Sequence, residues 1–181
     1  MINTFNKPII PDNEKLRLAA LEYFDILNEL PDRYFTNLAH IIAATFNSEI
    51  ALVSLVGEEM VHFKGNVGME GVNKVERGKS LCSLAILDPG PTIFYDTLKE
   101  PCLLRNPLVI GEFGLRFYAG APIVTKEGFS IGTVCIVGKE PREFTEKEKE
   151  LLVMFAENAM HEIKMRGEIK RIRERELSPS I

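Results

Sequence analysis

Two runs of apolar, β-branched and aromatic residues lie between Arg116 and Val137, separated by the polar Thr125-Lys126-Glu127-Gly128. Such runs joined by a short glycine-bearing connection predict an antiparallel hairpin. Upstream, Ile50, Leu52, Ser54 and Val56 alternate with Ala51, Val53 and Leu55. Both sides of that strand are apolar, which predicts a sheet covered on each face. A second strand is predicted from Met60 to Asn66, after the turn Gly57-Glu58-Glu59. The helical period is clearest at Phe35, Leu38, Ala39, Ile42, Ala43 and Phe46, in a helix set off from the one before it by Leu30-Pro31. That earlier helix is expected from Asn13 to Asn28, with Asp12 as its N-cap and an apolar stripe of Leu16, Ala20, Tyr23, Phe24 and Leu27. His40 falls off the stripe of its helix and reads as a solvated histidine.

From Gly68 to Gly114 the pattern breaks up, with glycines at 71, 78, 90 and 111 and prolines at 89, 91, 101 and 107. Only a short helix from Ser80 to Leu87 and a short strand from Thr92 to Tyr95 are predicted within it. A long irregular connection inside a compact domain usually carries function, so this insert is the expected ligand-binding region. The last helix opens with Thr145 and Glu148, the two ends of a capping box. Leu152, Phe155, Ala156, Ala159 and Ile163 form its stripe, continued by Ile169 and Ile172 among mixed charges. Sparse apolar positions in such a setting fit a helix that packs against a partner helix. Gly167 argues instead for a fraying tail. The expected organisation is an extended segment over residues 1–12, one domain over 13–163 and a helical extension with tail over 164–181.

Composition narrows the class without naming a chemistry. At 45% apolar and 27% charged residues, the chain is an ordinary globular sequence. A net charge of -4 speaks against nucleic acid, and no run reaches membrane-spanning length, so neither nucleic acid nor membrane is an expected partner. Cys82, Cys102 and Cys135 are too scattered for a disulfide framework or a paired-ligand zinc site, and they read as reduced thiols in a cytoplasmic protein. His40, His62 and His161 share no metal spacing, so no metal site and no cofactor are expected.

The order helix, helix, two strands, insert, hairpin and long helix resembles the GAF domain family from Leu16 to Ile163. The resemblance rests on Asp25-Ile26-Leu27, Ile50 to Val56, Lys64 to Gly68, Leu81-Cys82-Ser83, Asn106-Pro107-Leu108-Val109 and Arg116-Phe117-Tyr118-Ala119-Gly120-Ala121-Pro122. It implies an α+β, three-layer fold whose central antiparallel sheet of about five or six strands has helices on both faces and a long C-terminal helix. It also implies a small-molecule sensor of bacterial signal transduction, of the branch that often precedes diguanylate cyclase or histidine kinase modules. No signature of either module is present, so output is expected through a signalling partner protein or a homodimer contact of the terminal helices.

The family's chemistry carries over only in part. Where cyclic-nucleotide-binding relatives show Asn-Lys, Phe and Asp-Glu, this sequence has Gly138-Lys139, Phe144 and Glu148-Lys149. Cys82 is followed by Ser83, not by the histidine usual in bilin-binding relatives. Free methionine sulfoxide reductases are also similar, and Cys82 falls at one of their cysteines with Cys102 as a conceivable partner, but the H-I-x-C-D-like run is absent. No catalytic residue is therefore assigned. The pocket expected between sheet and insert takes Cys82, Ser83, Asp96, Arg116, Tyr118 and Thr133 as its polar candidates, with Arg116 either binding an anion or pairing with Asp96. Three readings remain: a ligand sensor, a ligand-free dimerisation module and a thiol-dependent reductase.

Overall fold

The computed structural model describes residues 2–27 and 33–177. Helices α1 (Glu14–Phe24) and α2 (Arg33–Thr45) lead into strands β1 (Ile50–Val56), β2 (Met60–Val67) and β3 (Lys74–Glu76). The insert then supplies the single turn α3 (Cys82–Ala85), strand β4 (Thr92–Phe94), two 3-10 turns and the short α4 (Pro107–Ile110). Strands β5 (Phe117–Val124) and β6 (Ser130–Gly138) form the predicted hairpin, and α5 (Glu146–Leu177) follows. The six strands form one antiparallel sheet in the order β3-β2-β1-β6-β5-β4. β1 sits at its centre, buried along its whole length.

Because successive side chains of a strand point to opposite faces, β1, β5 and β6 feed two cores at once. Ala51, Val53, Phe117, Ala119 and Ile136 pack under α1, α2 and α5. Leu52, Tyr118, Cys135 and Val137 pack under the insert and under Phe5 and Ile9 of the N-terminal segment. α2 lies close on β2 because Gly65 has no side chain: a Cβ there would sit 2.0 Å from the Phe35 carbonyl oxygen. The capping box forms, with the Thr145 amide donating to Glu148 at 2.8 Å and the Glu148 amide donating to Thr145 Oγ1 at 3.3 Å. Gly167 does not end α5. It is buried where a Cβ would come within 3.2 Å of Phe24, so it is the point of closest approach between α5 and α1.

Helix α1 departs most from its expected form. Its cap is Asn13 rather than Asp12, with no side-chain hydrogen bond, and it ends at Phe24 with Asp25 in the left-handed region. The expected break at Leu30-Pro31 lies outside the described residues. Leu16 and Tyr23 of the expected stripe are 59% and 60% exposed, whereas Arg17 is fully buried. Glu14 explains the inversion. Its carboxylate receives Arg17 Nε at 2.8 Å and Nη2 at 2.9 Å, and also Arg77 Nη1 at 2.5 Å and Nη2 at 3.1 Å. The two guanidiniums donate further to the carbonyls of Val56, Gly57 and Ile9. A charge can be buried when it is paired, and both arginines are paired with Glu14, although Arg77 Nε is buried without a hydrogen-bond partner among the described residues.

Burial acts to raise the Glu14 pKa, but the hydrogen bonds and positive charges of Arg17 and Arg77 outweigh it and hold the carboxyl at about 2, against an ordinary 4.5. A depressed carboxyl contributes stability that is present above its unfolded value and lost as pH falls through the folded one. Glu14→Ala strands two buried guanidiniums and should lose about 3 kcal/mol in urea unfolding at neutral pH. The gap from wild type should narrow as pH falls from 4.5 towards about 2, and a gap constant across that window would show that Glu14 is not the counter-charge.

Candidate functional site

On the insert side of the sheet, the β1–β6 register sets Leu52 opposite Cys135 and Ser54 opposite Thr133. Tyr118, on β5, faces the same side. α3 lies across these residues. It is positioned by Ser83, whose hydroxyl donates to the Arg77 carbonyl at 2.6 Å, and by its own apolar side chains, since Leu81, Leu84, Ala85 and Ile86 are all buried. Between α3 and the sheet remains a cavity of about 30 Å³, walled by Leu52, Phe63, Leu115 and Val137 and, on its more polar side, by Cys82, Cys135 and Tyr118. Mostly apolar walls with a few convergent polar groups are the usual make-up of a small-molecule site.

The polar side is a compact cluster. Cys82 Sγ lies 3.9 Å from Cys135 Sγ and 3.4 Å from Ser54 Oγ, which in turn is 3.1 Å from Thr133 Oγ1. Contact with the Cys135 thiol holds Cys82 below the ordinary thiol range, against burial and with help from the neighbouring Ser54 and Thr133 hydroxyls. The same contact, together with burial, pushes Cys135 well above that range. Burial also raises Tyr118, with negative charge at Cys82 adding to it. The Tyr118 hydroxyl is fully buried and makes no hydrogen bond to any described residue.

Of the six candidate residues, the structure brings Cys82 and Tyr118 to the cavity wall and sets Thr133 just behind it through Ser54. Ser83 points away, to the Arg77 carbonyl. The expected Arg116–Asp96 pair does not form. Arg116 donates to the carbonyls of Val109 at 2.8 Å and Leu115 at 2.9 Å, tying α4 to the start of β5. Asp96 instead accepts from the Leu98 amide at 3.2 Å and pairs with Lys99 at 3.4 Å. Ser54 and Cys135 were missed as site residues because their partners are far away in sequence. The one legible sign was that Ser54 shares the alternation phase of Leu52. Cys102 lies on a 3-10 turn, half-buried, and the sulfur next to Cys82 is that of Cys135.

A second concavity, an open groove of about 660 Å³, runs between α1 and α5 and is lined by Leu16, Ala20, Tyr23, Phe24, Phe129 and Met160. This is where the apolar stripe expected for α1 comes to lie. Among the described residues no helix is long and apolar enough to cross a membrane.

The model of the GAF domain family matches residues 31–163. A cyclic di-GMP phosphodiesterase of Pseudomonas aeruginosa is 32% identical over 157 residues, which make up 86% of this chain and 27% of that protein, so the chain spans about a quarter of that relative's length. Among solved structures, the GAF domain of an Acinetobacter phosphoenolpyruvate-protein phosphotransferase superposes with a TM-score of 0.62 at 13% identity, covering 86% of this chain and 98% of that one. A type II free methionine-R-sulfoxide reductase from Thermoplasma acidophilum gives 0.59 at 14% identity, covering 84% and 95%. At these identities the two structures share the fold with this chain.

Two substitutions separate the cavity wall from its scaffold. Tyr118→Phe removes a hydroxyl that has no partner and should leave thermal stability within about 1 kcal/mol of wild type, or raise it. Ser83→Ala removes the shorter of the two donors to the Arg77 carbonyl, leaving the Ser80 amide at 3.3 Å, and should cost about 1–2 kcal/mol in the same melt. A Tyr118→Phe loss as large as that of Ser83→Ala would mean that the tyrosine hydroxyl has a partner.

Proposed function

The chain belongs to the GAF domain family, and we propose that it is a regulatory small-molecule-sensing domain of a bacterial signal transduction system, acting in the cytoplasm. The observation that carries this reading is the apolar cavity between sheet and insert, lined by Tyr118, whose buried hydroxyl has no hydrogen-bond partner among the described residues. At about 30 Å³ the cavity holds little more than water. The form described is therefore the closed one, and a larger ligand enters by moving the insert. Cys82, Tyr118 and Thr133 are the proposed ligand-facing residues. Ser83 and Arg116 fix the insert around them, and Asp96 caps the 3-10 turn at its edge.

The ligand-bound insert reports through α5. That helix packs on the opposite side of the sheet from Leu152 to Ile163 and then runs on with Ile169 and Ile172 at 44% and 55% exposure. We propose that a second copy covers these residues and the neighbouring α1–α5 groove, in a homodimer built on the terminal helices. A catalytic module resembling that of the Pseudomonas relative, carried on the same or a partner chain, would receive the signal. The thiol-reductase alternative built on Cys82 and Cys102 has less support, since the sulfur beside Cys82 is Cys135.

Hydrogen exchange read over residues 80–96 and 106–118, with and without a library of small metabolites, tests the sensor. A binder should slow exchange there, because anything that binds the folded insert and not its locally unfolded form stabilises it. Protection confined to α1 and α5 would move the site to the groove. For assembly, Ile169→Glu with Ile172→Glu should convert a dimer to a monomer in sedimentation velocity while Tm is unchanged, since both side chains are exposed in the single chain. A double variant that stays dimeric would place the interface elsewhere.

A further inference from the structure

Ligand sensing does not require two thiols in contact, yet Cys82 and Cys135 are so placed. One opens α3 on the insert, the other lies within β6, and their sulfurs are 3.9 Å apart with exposures of 2% and 0%. A disulfide needs about 2 Å between sulfurs, a closure of a size that rotation between side-chain rotamers supplies. Both sulfurs border the cavity of about 30 Å³. One water needs roughly 10–15 Å³ on this measure, so a molecule of two oxygen atoms fits. The Tyr118 hydroxyl, on the same wall, has no hydrogen-bond partner among the described residues. Two facing sulfurs, a space of peroxide size and an unused proton donor therefore meet at one place.

The geometry points to a peroxide-reactive dithiol: hydrogen peroxide admitted to the cavity oxidises Cys82 and Cys135 to an intramolecular disulfide that fastens α3 to β6. Cys82 is the attacking sulfur, because it sits beside the Ser54 hydroxyl as well as the Cys135 sulfur and lies on the mobile insert side of the pair. Its sulfur attacks one peroxide oxygen, the O–O bond breaks and an S–O bond forms. The departing oxygen takes a proton from Tyr118 and leaves as water, and Tyr118 recovers from solvent the proton that Cys82 released on ionising. The Cys135 sulfur then attacks the sulfenic sulfur of Cys82, the S–O bond breaks, and the hydroxyl leaves with the Cys135 proton as a second water. The two thiols together give up two electrons and two protons, and the peroxide is reduced to two waters. This chemistry does not depend on the sensing reading, since it uses only the empty cavity. Its structural consequence falls on the same layer: the bond joins residues 53 apart and pins the insert to the sheet.

The experiment uses the Cys102→Ser chain, which retains only the pair, treated with a few equivalents of hydrogen peroxide and followed by intact mass and non-reducing peptide mapping. The expected product has lost two hydrogens, links the peptides bearing Cys82 and Cys135, melts several degrees higher and reverts with dithiothreitol. Adding Cys135→Ser should stop the reaction at a Cys82 sulfenic acid that dimedone labels. Tyr118→Phe, which keeps both thiols, should slow oxidation about tenfold or more, within the range of a lost proton donor. The same map on wild-type protein needs no substitution and should show the Cys82–Cys135 link with Cys102 outside it. The proposal is overturned if both thiols survive a dose that oxidises glutathione in the same tube, if Cys82 passes to sulfinic acid without a cross-link, or if the link forms as fast in urea-unfolded chain as in native protein.

Discussion

The Glu14 carboxylate is the point from which both layers of the molecule are hung. Two guanidiniums, each with no exposed side-chain surface, converge on it, one from nearby and one from far along the sequence. Arg17 comes from the next turn of the same helix, and Arg77 from the start of the insert. Through the second donors of these arginines the carboxylate also fixes the end of β1 at Val56, the following turn at Gly57 and the N-terminal segment at Ile9. Pairing alone does not make a buried ion cluster stabilising, because desolvation offsets much of the attraction. The return here is positional. Arg77 is held by its side chain, and its carbonyl in turn receives the Ser83 hydroxyl, so the placement of Arg77 determines where α3 lies.

From that chain of contacts the location of the cavity follows. Once Ser83 is tied to Arg77, its neighbour Cys82 is directed at the sheet, where the β1–β6 register has already set Ser54 beside Thr133 and Cys135 beside Leu52. The cluster of two thiols and two hydroxyls is thus assembled from three segments, α3, β1 and β6. Tyr118 completes it from β5. Its ring stacks near Phe94 of β4 at a centroid distance of 6.2 Å, which anchors the side chain by its apolar part and leaves the hydroxyl unspent.

The sheet was legible in the sequence because its signals are local. Alternation in β1, the turn at Gly128 and the Thr145–Glu148 box each involve residues within a few positions of one another, and all three appear as read. The insert was legible only as a region. Strands of three residues, such as β3 and β4, are too short to show a period, and α4 is a single turn capped by Asn106. α1 was misread because an arginine on a helix is taken for a solvated group. Glu14 was visible three residues before Arg17, but Arg77, which makes the burial of both worthwhile, is 63 residues from Glu14. Gly167 failed for the same reason: a helix-weakening residue in the sequence is, in the fold, the contact at which Phe24 can approach. Among the candidate site residues, type alone picked out Cys82 and Tyr118, which the fold sets at the cavity, together with Ser83 and Arg116, whose hydrogen bonds are spent on carbonyls.

The division between the two faces of the sheet also constrains how a signal can leave the cavity. The insert face and the helical face share the strands but no side chains, since each residue of β1, β5 and β6 contributes to one core or the other. A ligand that displaces α3 can therefore reach α5 only by shifting the backbone of the central strands, or through the edge where Glu14 joins α1 to Arg77. The first route is stiff: β1 is hydrogen-bonded on both sides, and Gly132 of β6 already lies so close that a Cβ would stand 2.1 Å from the Ser54 carbonyl oxygen. The second is a single ionic node that touches the insert at one end and, through α1, the close contact of Phe24 with Gly167 at the other. Movement of the insert that shifts Arg77 has to be accommodated by α1, and α1 is the helix against which the exposed end of α5 is braced.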